Sequence, residues 1–254
     1  MKLFAKSAKS VFVIGALIGA MSSTAAYADL KLNGSGASFP APLYNKWFKD
    51  YSKQTDGVRV DYQSKGSGAG IQDFINETVD FAGSDAAMKD SEIAQVKKGT
   101  ILLPVTAGEV VISYNLDGVT ELKLPRDVYP EIFLGNITNW NDPKIQAANP
   151  GVKLPDQNIT VVVRSDSSGT SYVFTNHLAA ISDNFKEQVG GAKAPNWPSA
   201  GTIVKAPKND GVTATIKQTP GAIGYVEYGF AKLTKMPTAL LENQKGNFIE
   251  AGGE

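Results

Sequence analysis

The sequence predicts an α/β fold built mostly from parallel strands, and three observations carry that expectation. Short β-branched runs alternate with stretches of helical periodicity, and Gly/Ser/Asp clusters punctuate them at close intervals. The composition is that of an ordinary globular protein, with 42% hydrophobic and 20% charged residues in 254 positions. No repeat of 20–50 residues, heptad or Gly-X-Y period competes with that reading.

Residues 58–63 (VRVDYQ) read as a strand followed by the Gly-rich residues 66–70. A short helix is predicted over 71–76, with Ile71, Phe74 and Ile75 on one face. Residues 80–82 predict a brief strand ending at Gly83-Ser84-Asp85. Residues 105–116 form a longer extended segment closed by the Asp117-Gly118 turn signal; if the fold has two lobes, this is the first crossing between them. The strongest strand signal is 158–164 (NITVVVR), bracketed by Pro155-Asp156 and Ser165-Asp166. Residues 168–180 follow as a helix, placing Val173, Phe174, His177, Leu178 and Ile181 at helical spacing. Residues 222–226 predict a further strand.

Charge and residue inventory remove several function classes. The 25 Lys and Arg balance 25 Asp and Glu, so no strong basic field marks a nucleic-acid binder. Without cysteine there is no disulfide scaffold, thiolate metal site, cysteine nucleophile or lipidated cysteine. The single histidine, His177, excludes a histidine-rich metal centre, and no metal or other cofactor is expected. His177 falls on the Val173/Phe174/Leu178 side of its helix and reads as a packed core residue. Ser168 would be its serine partner, but about 13 Å of helical rise separates them, too far for a nucleophile and its base.

Residues 1–28 read as a signal peptide. Lys2, Lys6 and Lys9 precede the apolar run 11–21, and Ala26-Tyr27-Ala28 has the A-x-A form of a cleavage site. The run is shorter than the about 20 residues needed to span a bilayer. Cleavage after Ala28 is expected to give an exported protein without a membrane anchor. Its 22 basic residues then face 25 acidic ones, a formal charge of −3. An anion must therefore be held by local geometry.

Candidate chemistry sits in three Gly/Ser/Thr loops. The first, 33–40 (NGSGASFP), leads into an amphipathic stretch with Leu43, Trp47 and Tyr51; Ser38 is placed to cap that helix and Pro40 to open its first turn. The second is 66–70 (GSGAG) and the third 164–170 (RSDSSGT), each between a strand and a helix. Such loops offer unpaired N–H groups and hydroxyls at a helix N-terminus, where the dipole favours negative charge. Glycine lets the backbone approach a ligand without a Cβ between them. One such loop is ordinarily just a capped helix. Three of them, one carrying Arg164 from a set of only three arginines, shift the balance toward a shared anion without deciding it. On spacing alone, Arg164 and Asp166 read equally as an exposed ion pair or as a clamp in which Asp166 holds the guanidinium. Asp85 likewise reads as a helix cap. Nucleotide motifs are absent: no G-x-x-x-x-G-K-[ST] occurs, and the third glycine after Gly66 and Gly68 comes one residue early for a dinucleotide fingerprint.

Five segments then carry a resemblance: GSGASFPAPLYNKW (34–47), YQSKGSGAG (62–70), VDFAGSDAAM (79–88), RSDSSGTSYVF (164–174) and PGAIGYVEY (220–228). Together, and over nearly the whole mature chain, they resemble the periplasmic phosphate-binding proteins of phosphate-specific ABC transporters. The resemblance implies a two-lobed periplasmic-binding-protein fold of type II, an α/β fold with mixed sheets flanked by helices and a ligand cleft between the lobes. Residues 29–108 would form the first lobe and 109–254 the second. The implied function is capture of inorganic phosphate in the periplasm and delivery to the membrane permease of an ABC transporter, by a monomer with no nucleic-acid partner. The implied ligand residues are Ser38, Phe39, Ser67, Asp85, Arg164, Ser168, Gly169 and Thr170, with Asp166 orienting Arg164.

The chain departs from the family pattern in three places. Ser38 stands where threonine is usual and keeps the hydroxyl. Lys65 adds a positive charge beside the second loop, expected to help recruit the anion. The chain ends at Glu254, several tens of residues short of the family's usual C-terminus, so the first lobe is expected to be incomplete. The implied carboxylate has a physical sense. Phosphate near neutral pH carries a proton to donate to Asp85, whereas sulfate would meet a like charge and an unpaired acceptor. That argues against a receptor for sulfate or molybdate. A secreted phosphoryl-group hydrolase would need a metal cage or an activated nucleophile, and the inventory above supplies neither, so the chain is not expected to be an enzyme.

Overall fold

The computed structural model describes residues 30–252, which form three sheets flanked by helices. The signal peptide and its cleavage site, predicted over 1–28, lie outside the described residues. The first part of the chain carries β1 (Leu30–Gly36), α1 (Ala41–Gln54), β2 (Val58–Ser64), α2 (Ser67–Ile75), β3 (Phe81–Gly83) and α3 (Asp90–Ile93). The remainder carries β4 (Val110–Tyr114), β5 (Lys123–Leu124), α4 (Tyr129–Phe133), α5 (Pro143–Ala148), β6 (Thr160–Arg164), α6 (Gly169–Ile181) and α7 (Asp183–Gln188). It closes with β7 (Thr202–Ala206), α8 (Lys208–Gln218), β8 (Ala222–Glu227), α9 (Tyr228–Thr234), β9 (Leu240–Glu242) and β10 (Phe248–Ile249). Among the described residues no helix is long and apolar enough to cross a membrane.

The first sheet has the order β2-β1-β3, all parallel. Sequence punctuation predicts a loop beginning at Asn33, yet Asn33 to Gly36 are the second half of the central strand. The glycines stand there because neighbours press close. A Cβ on Gly34 would enter the Phe81 ring, and one on Gly36, where φ is +138°, would strike the Gly83 carbonyl. The helix predicted over 71–76 begins earlier, at Ser67. Close packing of α2 on β1 overrides the glycine penalty, since a Cβ on Gly70 would collide with Gly36.

In α1 the packed face differs from the expected one. Tyr44 and Phe48, one turn apart, meet Tyr62 and Phe81 of the sheet with ring centroids 5.2 and 5.6 Å apart. Leu43, Trp47 and Tyr51 are left 37%, 42% and 52% exposed. Edge-to-face aromatic packing decides which stripe of the helix turns inward. Ser38 does not cap α1: Pro40 holds the cap position, with no side-chain cap bond.

The second sheet has the order β4-β8-β6-β7, with β4 antiparallel to β8 and the other pairs parallel. The third, β10-β9-β5, also joins one antiparallel and one parallel pair, so two of the three sheets are mixed while most strand pairs are parallel, as the sequence predicts. In β6 the period of two shows directly. Val161 and Val163 enter the core around Phe133, Phe174 and Tyr225, while Val162 faces Val212 and Ile216 of α8. Burial on both faces explains the unbroken valine run. The extended segment predicted over 105–116 is a strand only from Val110, because its partner β8 ends opposite it at Glu227. His177 is not a core residue. It is exposed, with Nε2 2.8 Å from the Tyr129 hydroxyl, while Phe174 and Leu178 fill the interior face of α6.

Candidate functional site

The candidate residues lie at the C-terminal ends of strands. β1 ends at Gly36 and hands over Ser38 and Phe39, β3 ends two residues before Asp85, and β6 ends at Arg164 itself. α2 and α6 begin at Ser67 and Gly169. Carboxyl ends of strands followed by helix N-termini are where open α/β sheets bind ligands.

The second and third loops touch. The Gly68 N–H donates to the Ser167 carbonyl at 3.0 Å, and the Gly169 N–H to Ser67 Oγ at 3.1 Å. A Cβ on Gly66 would run into the Asp166 carboxylate, and one on Gly68 into the Ser167 hydroxyl. These glycines therefore admit the opposing loop, where the sequence pointed to ligand approach. At Gly169 a Cβ would strike the Ser67 hydroxyl and sit 2.5 Å from Asp85 Oδ2. Gly169→Ala is expected to wedge the two loops apart and weaken anion binding at least tenfold, about 1.4 kcal/mol. Titration calorimetry on the folded variant checks this, and unchanged affinity would show that the contact is not required.

Arg164 and Asp166 form a buried pair, not a surface one: their side chains are 1% and 17% exposed. Nε of Arg164 donates to Asp166 Oδ1 at 2.8 Å, Nη2 to Oδ2 at 2.5 Å, and Nη1 to Thr170 Oγ1 at 3.3 Å. A guanidinium has five N–H groups, so two remain for another acceptor. Asp166 also accepts the Lys208 N–H at 2.8 Å. Burial pulls the Asp166 carboxyl upward, but the hydrogen bonds and charge of Arg164, with the Lys208 N–H, outweigh it and hold the group below its usual range.

Three hydroxyls are polarised in the same sense. Ser38 Oγ accepts from the backbone N and Nδ2 of Asn209 at 3.1 and 3.0 Å. Thr170 Oγ1 accepts from Arg164 Nη1 and from Asn209 Nδ2 at 3.3 and 3.2 Å. Ser67 Oγ accepts the Gly169 and Asp85 N–H groups at 3.1 and 3.3 Å. With both lone-pair directions filled, each can only donate. Ser168 caps α6, its Oγ accepting the Ser171 N–H at 3.0 Å. All four of these side chains are buried.

Asp85 is the acidic member of the group. Burial pushes its carboxyl up to about 7, assisted by Glu227 and opposed by Arg164 and the Ser67 hydroxyl, whose Oγ lies 3.4 Å from Oδ2. The Phe39 ring is half-buried against Gly108, and its backbone N–H finds no acceptor among the described residues. Lys65, expected to recruit an anion, is instead paired with Asp73 at 2.8 Å. Among the described residues no group of three or more His, Asp or Glu is placed to hold a metal ion.

Sequence reasoning missed Asn209. It carries no motif and sits in an unremarked KND run. The available signal was positional, because Pro207 and Asn209 lie at a fourth strand-to-helix junction, between β7 and α8.

Residues 21–251 match the family described as the PBP superfamily domain. Phosphate-binding protein PstS of Pasteurella multocida strain Pm70 is 44% identical over 225 residues, covering 88% of this chain and 64% of that protein. The protein of the same name from Haemophilus influenzae is 44% identical over 225 residues, covering 88% and 66%. The chain thus spans just under two thirds of the length of each relative. Among solved structures, the high-affinity periplasmic phosphate-binding protein PfluDING, bound with phosphate, aligns with a TM-score of 0.66 at 22% identity. That alignment covers 87% of this chain and 65% of the other, and the likeness is one of fold.

Proposed function

The chain belongs to the PBP superfamily, and on that premise we propose that it is a receptor which captures inorganic phosphate between two lobes and delivers it to the membrane permease of an ABC transporter. The carrying observation is the donor set. Two buried hydroxyls that can only donate and whose protons are uncommitted, those of Ser38 and Thr170, are gathered with a guanidinium that keeps two N–H groups uncommitted, beside the Asp85 carboxyl, to which Ser67 donates at 3.4 Å. Such a set suits an oxyanion, and Asp85 suits one that still carries a proton. Residues 29–108 and 109–254 are the two lobes of this reading. Its support is the bonds that cross between them: Asn209 to Ser38, Gly169 to Ser67, and Lys193 to Glu92 at 3.0 Å. The receptor works in the periplasm as a monomer, after cleavage behind Ala28, and binds without turnover.

The magnitudes are sufficient. At a ceiling of about −1.5 kcal/mol per heavy atom, five atoms reach about −7.5 kcal/mol, near micromolar affinity. The test is calorimetric titration of phosphate into phosphate-stripped protein spanning residues 29–254, with sulfate as the control. Saturable one-to-one binding of phosphate and none of sulfate at pH 8 is expected. Equal binding of both anions would overturn the choice of phosphate, and no binding of either would overturn the receptor reading.

A further inference from the structure

We propose that Asn209 is a positioning residue of this site: its single buried amide sets the direction in which Ser38 and Thr170 donate and ties the first lobe to the second. The inference rests on the anion-receptor reading and adds to it a residue that makes no contact with the ligand.

Asn209 has no exposed surface, and every polar atom of it is committed. Its amide orientation is decided by an obligate donor, because the Glu227 N–H lies 3.0 Å from Oδ1. The two Nδ2 hydrogens therefore point the other way, one to Ser38 Oγ at 3.0 Å and one to Thr170 Oγ1 at 3.2 Å. The backbone N–H adds a second bond to Ser38 at 3.1 Å, and the Asn209 carbonyl accepts the Thr213 hydroxyl at 2.8 Å. No N–H of Asn209 is left for an anion.

The consequence concerns the protons of its neighbours. A free serine hydroxyl rotates and can present a lone pair to an anion as readily as a proton. Once donors fill its lone-pair directions, only the proton remains to be offered, and the oxygen of the anion is the acceptor it meets. Asn209 does this for two hydroxyls on opposite sides of the lobe junction. Ser38 follows β1, whereas Thr170 lies in the first turn of α6. Aspartate in its place would accept where donation is needed, and both hydroxyls would turn toward the carboxylate.

The experiment is phosphate titration of the unmodified 29–254 protein, Asn209→Ala, Asn209→Asp, the double variant Ser38→Ala/Thr170→Val, and that double variant combined with Asn209→Ala. Asn209→Ala is expected to weaken phosphate binding at least tenfold in the native background and less than threefold in the double-variant background. That non-additivity is the signature of action through the two hydroxyls. Asn209→Asp keeps the acceptor for the Glu227 N–H, and with it the fold, and is expected to lose at least as much affinity as Asn209→Ala. Equal losses in both backgrounds would mark a merely structural role and overturn the proposal. So would a folded Asn209→Asp protein that binds phosphate as tightly as the unmodified one. Failure of the unmodified protein itself to bind phosphate would instead bring down the receptor reading, and the proposal with it.

Discussion

Arg164→Ala is expected to weaken phosphate binding at least a hundredfold, about 2.7 kcal/mol. The two uncommitted guanidinium N–H groups would each make a charge-assisted hydrogen bond of about 1.5–3 kcal/mol to the anion. Thr170 would also lose one of the two donors that orient its hydroxyl. The same substitution strips Asp166 of its partner, and an unpaired charge in a buried position costs about 3–5 kcal/mol. The two effects separate by pH. In the native protein the folded Asp166 carboxyl is held below its usual range, so it contributes stability above its unfolded value that is lost as pH falls. Without Arg164, burial dominates and the sign reverses: the variant is expected to gain stability as pH falls and Asp166 takes a proton. Adding Asp166→Asn to Arg164→Ala should restore melting temperature at pH 8 without restoring affinity. Unchanged affinity in a folded Arg164→Ala protein would remove Arg164 from the site.

Asp85→Asn is expected to narrow the gap between phosphate and sulfate and to abolish the pH dependence of sulfate binding. The Asp85 carboxyl lies near 7 in the fold, above an ordinary value of 3.8. At pH 8 it is an acceptor-only charge, matched to a protonated oxyanion and opposed to sulfate. As pH falls through about 7 it becomes a donor, and sulfate should begin to compete in the unmodified protein. Asparagine donates and accepts at every pH, so the variant should bind sulfate equally at pH 5.5 and pH 8. A stability change accompanies this. A carboxyl raised in the folded state binds its proton more tightly there, so its contribution to stability falls as pH rises from about 4 to about 7. Asp85→Asn should therefore raise the melting temperature of ligand-free protein at pH 8, with the gain shrinking toward pH 4. Competition titrations and melts at the two pH values check both statements. Sulfate binding by the unmodified protein that does not change between them would refute this account of the carboxylate.

Strands with a strong local signature were legible. Residues 58–63, 158–164 and 222–226 read as strands from local pattern, and β2, β6 (from Thr160) and β8 lie there. The helix read over 168–180 is α6, which begins one residue later behind Ser168, its N-cap. The failures share a cause. Asn33 to Gly36 are the middle of a sheet although they read as a loop, because Phe81 and Gly83, far along the chain, leave no room for side chains. The inward face of α1 went to Tyr44 and Phe48, because Tyr62 and Phe81 were there to receive them.

The sequence by itself determined which hydroxyls, N–H groups and charges stand at strand ends and helix starts, since caps, turns and β-branched runs are decided by neighbours a few residues away. Only the tertiary structure decided what those groups do there. Ser38, placed by its neighbours to cap a helix, instead accepts two hydrogen bonds from Asn209, 171 residues later. Whether Gly169 faces a ligand or a loop depends on Ser67, 102 residues earlier. Whether Arg164 and Asp166 meet in water or inside the protein depends on the loops packed around them. A hydroxyl's direction and a carboxyl's proton affinity are set by the atoms that surround them, and those atoms are brought there by the fold.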